Sequence, residues 1–258
     1  MIDEKRFSPN IVSKLGNETL DQDLMNYLLN PNIETDVPVL KRGLVIGDVQ
    51  SGKTSTYIGL ICKAADAGFK VFILLTGTIE SLRKQTQERV EEGFIGIDMS
   101  DQLTGGRRIG VGLDNQTIYA TAFTSRNNDF TGNSDKIAVA LRNFNAVVFV
   151  IKKQKDVLKK LTTWLKTLNA DQLTGKINLP MLMIDDEADN ASINTSKDKE
   201  DPTTINRLIR NLANLFTRSN YVGFTATPFA NVFIDPETTE EMENQDLFPE
   251  DFIVSLPT

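Results

Sequence analysis

Gly47-Asp48-Val49-Gln50-Ser51-Gly52-Lys53-Thr54 fits G-x-x-x-x-G-K-[ST], the pattern of a loop that cradles phosphate. Val45-Ile46 in front of it reads as the end of a buried strand, and Lys53–Ala67 behind it reads as a helix. That strand–loop–helix setting is what the pattern needs. Glycines in such a loop let backbone N–H groups turn inward onto phosphate oxygens. The candidate nucleotide-binding residues are Gly47, Asp48, Val49, Gln50, Ser51, Gly52, Lys53, Thr54 and Ser55. Lys53 is placed to reach the β- and γ-phosphates and Thr54 to hold Mg²⁺. The plain alternative is a Gly-Lys turn that binds nothing, and an acidic motif downstream argues against it.

Outward from this loop the chain alternates between two patterns. Apolar runs predict strands at Gly43–Ile46, Val71–Leu75, Thr117–Ala122, Ala146–Ile151, Met181–Ile184 and Tyr221–Thr225. Several are continuously apolar, which suits strands buried on both faces of a parallel sheet. Helical patterns lie at Lys53–Ala67, Glu80–Glu92, Asp135–Asn143, Gln154–Leu168 and Thr204–Arg218. The alternation predicts an α/β fold, a mostly parallel sheet with helices on both faces. Residues 1–37 read as a helical lead-in, from the apolar spacing of Leu20 to Leu29 and the prolines at 31 and 38. Residues 38–234 carry the α/β pattern and 235–258 form an acidic C-terminal segment. Residues 98–116 and 189–203 read as polar loops.

Composition narrows the chemistry. The 258 residues are 40% hydrophobic and 24% charged, as in a globular chain. No apolar run approaches the ~20 residues of a membrane span, and Met1-Ile2-Asp3-Glu4-Lys5-Arg6 is no signal peptide. The expectation is a cytoplasmic protein with no membrane partner. One cysteine, Cys62, excludes an intrachain disulfide and a thiolate metal cluster. It reads as a packed small hydrophobe. No histidine is present, which excludes Ser-His-Asp and Cys-His catalysis and the usual zinc sites. Carboxylates, Lys, hydroxyls and a hard metal remain. The net charge of −7 is local: residues 235–251 carry eight acids and no Lys or Arg, leaving 27 acids against 28 bases elsewhere. A neutral body with a local basic path is compatible with nucleic acid.

Met181-Leu182-Met183-Ile184 ends in Asp185-Asp186-Glu187-Ala188-Asp189. An acid at the tip of a strand beside the P-loop strand is where a P-loop NTPase holds its metal. Asp186 is the candidate metal ligand with Thr54. Glu187 is the candidate base for the attacking water. Lys53, Asp186 and Glu187 form the candidate catalytic set. A third element, Val222-Gly223-Phe224-Thr225-Ala226-Thr227-Pro228, is another strand ending in hydroxyls. Thr225 and Thr227 are candidates to bond the acidic motif, with Asp189, and so couple nucleotide state to the rest of the chain. Alone, the two threonines read as ordinary turn caps.

P-loop, Asp-Glu-Ala-Asp and Thr-Ala-Thr-Pro, in that order, resemble the first RecA-like motor domain of superfamily-two helicases. The wording around them resembles the Z-one domain family, often labelled endonuclease. The resemblance lies in Arg42 to Thr54, Ile58-Gly59-Leu60 through Ala64 to Gly68, Leu75-Thr76-Gly77-Thr78 into Leu82 to Arg89, and Leu247 to Val254. It covers roughly residues 40–258. The resemblance implies an ATPase using ATP and Mg²⁺ that acts on nucleic acid, DNA before RNA, in a bacterial or phage restriction or defence setting. It also implies a second RecA-like domain or a partner that supplies an arginine finger. No second RecA-like pattern lies in this chain, so a first half with very slow turnover is expected. A nuclease acting through Asp185, Asp186 and Glu187 rests on the family label alone. The main alternative is a nucleotide-gated interaction module that docks a partner through loop 189–203 and the acidic segment.

In superfamily-two motors the segment after the second core strand meets the nucleic-acid backbone. Here that assigns Thr76, Gly77, Thr78, Arg83 and Gln85, since amides and hydroxyls at a helix start suit phosphate oxygens. Phe123-Thr124-Ser125-Arg126 is a weaker candidate of the same sort. Lys152, Lys153, Lys155, Lys159, Lys160 and Lys166 read as the solvated side of an amphipathic helix whose apolar side includes Val157, Leu158, Leu161, Trp164, Leu165 and Leu168. Trp164 therefore reads as core.

Overall fold

Every residue of β2 (Val71–Thr76) is buried. Alternate side chains enter two different cores: Phe72 and Leu74 one, Val71, Ile73 and Leu75 the other. A strand covered on both faces has no polar side, which explains the unbroken apolar runs. The computed structural model describes residues 24–35, 37–48, 52–100, 106–114, 119–132, 141–190, 204–228, 247 and 249–256. Around β2 run β1 (Val39–Ile46), β3 (Ala120–Ala122), β4 (Ala146–Lys152), β5 (Ile177–Asp186), β6 (Phe216–Thr225) and β7 (Phe252–Ser255). They form one sheet in the order β3-β4-β2-β5-β6-β1-β7, and every strand pairing is parallel.

Helix α1 (Lys53–Ala67) follows the P-loop, and α2 (Glu80–Val90) follows β2. A short α3 (Val111–Asp114) precedes β3, α4 (Lys155–Asn169) follows β4, and α5 (Thr204–Ala213) follows β5. Tyr57, Ile58, Leu60 and Ile61 of α1 pack into the core that holds Phe72 and Leu74. Leu158, Leu161 and Leu165 of α4, with Ile209 and Leu212 of α5, pack into the core on the other face. Helices thus cover both faces of a parallel sheet with a P-loop at the C-terminal end of an inner strand. This is the RecA-like α/β architecture. Trp164 sits within an aromatic group with Phe123, Phe130 and Phe149, as core.

Several boundaries differ from the pattern reading. The acid-bearing strand β5 is not beside the P-loop strand: β6 lies between them. The predicted helix Thr204–Arg218 ends at Ala213, and Phe216 already belongs to β6, paired with Ile177. The helical run continued in the sequence because Leu215 and Phe216 kept the apolar spacing. β6 must nevertheless reach back along the full ten residues of β5. β5 starts before Met181, with a register shift between Ile177 and Pro180 where proline has no N–H for the ladder. α2 stops at Val90 and passes into a π-helical turn, Glu91–Ile95. β7 is a strand that the pattern reading missed. It pairs with β1 from Gly43↔Phe252 to Ile46↔Ser255.

Of the predicted strand Thr117–Ala122, Ala120–Ala122 is strand and 117–118 lie outside the described residues. Of the predicted helix Asp135–Asn143, only Leu141–Asn143 is described, as a 3-10 turn. Loop 98–116 contains α3 and an antiparallel bridge, Ile97 to Arg108. In the lead-in, residues 24–27 are helical, Leu24, Leu28 and Leu29 are buried, and the Leu29 N–H donates to Asn220 Oδ1 at 2.8 Å.

Candidate functional site

A cleft of about 630 Å³ opens between the N-terminus of α1, the tip of β5 and α2. That volume is within the range of small-molecule sites. Lys53, Thr54 and Ser55 enter it from α1, Asp186 from the end of β5, Glu187 from the turn after it, and Gln85 and Arg89 from α2.

The P-loop frame is set locally. Gly52 has φ +80° at the N-cap of α1, a left-handed conformation that glycine adopts at little cost. Lys53 Nζ donates to Gly47 O at 2.7 Å and Asp48 O at 2.8 Å, so its charge spans the mouth of the loop. Gly47 N–H donates to Thr225 O at 3.0 Å, tying the start of the loop to the end of β6. Val49, Gln50 and Ser51 lie outside the described residues.

The acidic motif is held from beneath. Asp185 and Lys153 are both fully buried and pair at 2.8 Å. Tyr221 Oη donates to the other Asp185 oxygen at 2.7 Å. Lys153 Nζ also donates to Asp186 O at 2.9 Å and Glu187 O at 2.6 Å. Lys153 is therefore no part of a solvated basic helix face: it precedes α4 and clamps the tip of β5. This corrects the reading of that lysine run. It also removes Asp185 from solution chemistry, which leaves the nuclease reading without one of its three carboxylates. Among the described residues no group of three His, Cys, Asp or Glu is placed to hold a metal ion.

Glu187 has φ +58°, the one left-handed non-glycine residue described, a conformation that costs of order 1–3 kcal/mol. The Lys153 bond to its carbonyl, the Ala188 N–H to Phe224 O bond (3.0 Å) and the Asn190 N–H to Glu187 O bond (2.8 Å) over-determine it. The turn lays the Glu187 carboxylate against Gly77, where a Cβ would stand 2.8 Å from Oε2. Burial pushes the Asp186 carboxyl up to about 6, and the neighbouring Glu187 and Asp185 charges add to it. A carboxyl so placed gains most from a cation. Mg²⁺ takes one or two protein oxygens and keeps several waters. The Thr54 hydroxyl and Asp186 carboxylate fit that donor set.

Thr225 Oγ1 donates to Asp189 Oδ1 at 2.7 Å, and Thr227 Oγ1 donates to Oδ2. Burial pushes the Asp189 carboxyl up, but the bonds from Thr227 and Thr225 outweigh it and hold it below the usual carboxylate range. The candidate coupling residues are thus one hydrogen-bonded unit.

The five candidate nucleic-acid residues do not form one surface. Thr76 is 1% exposed, and its hydroxyl donates to Ile151 O at 3.2 Å. Gly77 is buried under Glu187. Arg83 is 0% exposed: it pairs with Glu80 at 2.7 Å and donates to Ser125 O and Arg126 O at 2.9 and 3.1 Å. Its role is to fasten the loop after β3 onto α2, a correction to its assignment as a contact residue. Thr78 is exposed beside the exposed Ile79. Gln85 is exposed but lines the cleft. In the loop after β3, Thr124 and Ser125 are buried and Arg126 pairs with Glu88 and Glu91.

Sequence reasoning missed Tyr57, Thr86 and Arg89, which line the same cleft. Tyr57 and Thr86 sit at apolar positions of helices and carry no motif. No helix among the described residues is long and apolar enough to cross a membrane.

No protein-family model matches the chain, and no curated protein matches it. Among solved structures it is similar to a Sulfolobus solfataricus SWI2/SNF2 ATPase core in complex with dsDNA, at 12% identity and a TM-score of 0.42. The match covers 88% of this chain and 33% of that one, so the chain spans about a third of that protein's length.

Proposed function

We propose that this chain is the ATP-binding and ATP-hydrolysing first motor domain of a superfamily-two helicase-like protein. One observation carries the reading: Lys53, Thr54, Asp186 and Glu187, from two separated motifs, line one cleft. Thr54 and Asp186 are the residues to hold Mg²⁺, which when bound supplies charge neutralisation at the phosphates. Lys53 binds the β- and γ-phosphates, and the Glu187 carboxylate accepts the proton of the attacking water. The Asp189–Thr225–Thr227 unit connects the acidic motif to the end of β6, which also holds the start of the P-loop. A second RecA-like domain or a partner supplies the arginine of the complete motor, in keeping with the spread charge of the phosphoryl transition state.

Nucleic acid, DNA before RNA, belongs to this reading through the order of the three motifs. A restriction or defence role rests on the Z-one resemblance of residues 40–258, and a cytoplasmic setting on the composition of the sequence. The test is Mg²⁺-dependent ATP binding and hydrolysis, with and without single- and double-stranded DNA, on this chain and on the longest natural form that contains it. DNA-stimulated hydrolysis by the long form supports a motor. Binding without turnover in both forms overturns it in favour of a nucleotide-gated interaction module.

A further inference from the structure

Tyr57 is 1% exposed, yet it lines the nucleotide cleft. It stands four residues after Lys53, one turn into α1. Its ring packs edge-on against Phe224, centroids 5.6 Å apart. Its hydroxyl makes no bond of good geometry among the described residues, although Thr54, Thr86 and Asp186 all stand within hydrogen-bonding reach of it. A buried hydroxyl left unpaired costs of order 1–3 kcal/mol and is uncommon enough to need a reason. Two of its three neighbours are the candidate metal ligands.

We infer that Tyr57 is a positioning residue for the metal: its O–H donates to the Asp186 carboxylate and presents Asp186, in ionised form, to the Mg²⁺ of the nucleotide complex. The inference rests on the ATP-binding reading above. The chemistry is directional. Burial, with the Asp186 charge adding to it, pushes the phenol well above its ordinary value, so Tyr57 stays a neutral donor. Asp186 has two carboxylates as sequence neighbours, and Lys153, the cation beneath, is already shared by Asp185, Asp186 O and Glu187 O. The Glu187 backbone N–H already donates to that carboxylate, and Tyr57 adds a side-chain donor from α1. A hydrogen bond to a charged acceptor is about twice as strong as one to a neutral acceptor. The bond is therefore worth most when Asp186 is ionised.

The experiment uses the whole chain, calorimetric titration with ATP, and Mg²⁺ at fixed concentration or EDTA. Tyr57→Phe keeps the ring and removes only the O–H. The expected result is metal-free ATP affinity within about twofold of wild type. The gain in affinity on adding Mg²⁺ should fall about tenfold, the effect of losing one charge-assisted bond. In an Asp186→Asn background, Tyr57→Phe should then change the Mg²⁺ gain no further, which a merely structural role does not explain. Wild-type Mg²⁺ gain in Tyr57→Phe, or additive losses in the double variant, overturn the inference while leaving the ATP-binding reading intact. No Mg²⁺-dependent ATP binding in wild type overturns both.

Discussion

Lys153 and Asp185 form a 2.8 Å ion pair with neither side chain exposed, directly beneath the two carboxylates that line the cleft. One ammonium thereby fixes a side chain and two successive backbone carbonyls. Removing one partner of such a pair strands the other charge in the interior. Lys153→Met is expected to destabilise the chain by about 3–5 kcal/mol, measured by urea unfolding. Lys159→Ala on the exposed side of α4 should stay within about 0.5 kcal/mol. Equal, small effects would mean that the clamp is not formed.

Gly77 and Glu187 are in steric contact across the cleft. A Cβ at Gly77 would stand 2.8 Å from Glu187 Oε2 and 3.4 Å from Leu82. Gly77→Ala should therefore turn the Glu187 carboxylate away. A misplacement of about 1 Å can cost on the order of 100-fold in rate. ATP affinity is expected to hold while turnover in the long form falls by at least about tenfold, the same direction as Glu187→Gln. A reduced ATP affinity with normal turnover would contradict this.

Lys53→Ala should weaken ATP binding by roughly 10–100-fold, the loss of a charged donor to the phosphates. Fold integrity should persist, because among the described residues Lys53 Nζ bonds only to two carbonyls of its own loop. Unchanged affinity by calorimetry would remove the P-loop assignment.

Asp186 gives a pH dependence of defined sign. Its carboxyl is raised from 3.8 to about 6 in the fold, so the folded state holds a proton that the unfolded state gives up. Stability from this group is fully present below about pH 4 and is lost as pH rises through about 6. Without metal, Asp186→Asn should raise the melting temperature at pH 8 and leave it nearly unchanged at pH 4. Mg²⁺ should reverse the penalty for wild type in the presence of ATP, because the cation favours the ionised carboxylate. A constant difference across pH 4–8 would contradict the burial of Asp186.

The inner runs of β1 to β6, α1 and the cleft residues Lys53, Asp186 and Glu187 were legible because each has a local signature. Continuous apolar runs mark strands covered on both faces, and Gly52-Lys53-Thr54 marks the phosphate loop. What escaped depends on long-range partners. Lys153 looks like any lysine in a basic run until Asp185, 32 residues on, is brought beneath it by β4 and β5. Arg83 looks like a surface cation until the loop after β3 offers it two carbonyls. Tyr57 occupies a helix position that an apolar residue would fill as well. The position of β6 between β1 and β5 is a sheet-order choice that no periodicity encodes, and it is why Thr225 can bond both the P-loop start and Asp189.

β7 has a bearing on how this molecule is handled. Phe252 occupies the space where a side chain of Gly43 would project, and its ring stacks on Tyr27 at 5.1 Å. The last described strand thus plugs a socket in the P-loop strand and turns β1 from a border of the sheet into an inner strand. A chain cut before Phe252 bares a hydrophobic seat and a row of unpaired backbone groups next to the phosphate loop. Such a shortened protein would be prone to self-association through that edge, and a loss of ATP binding in it would report clumping rather than chemistry.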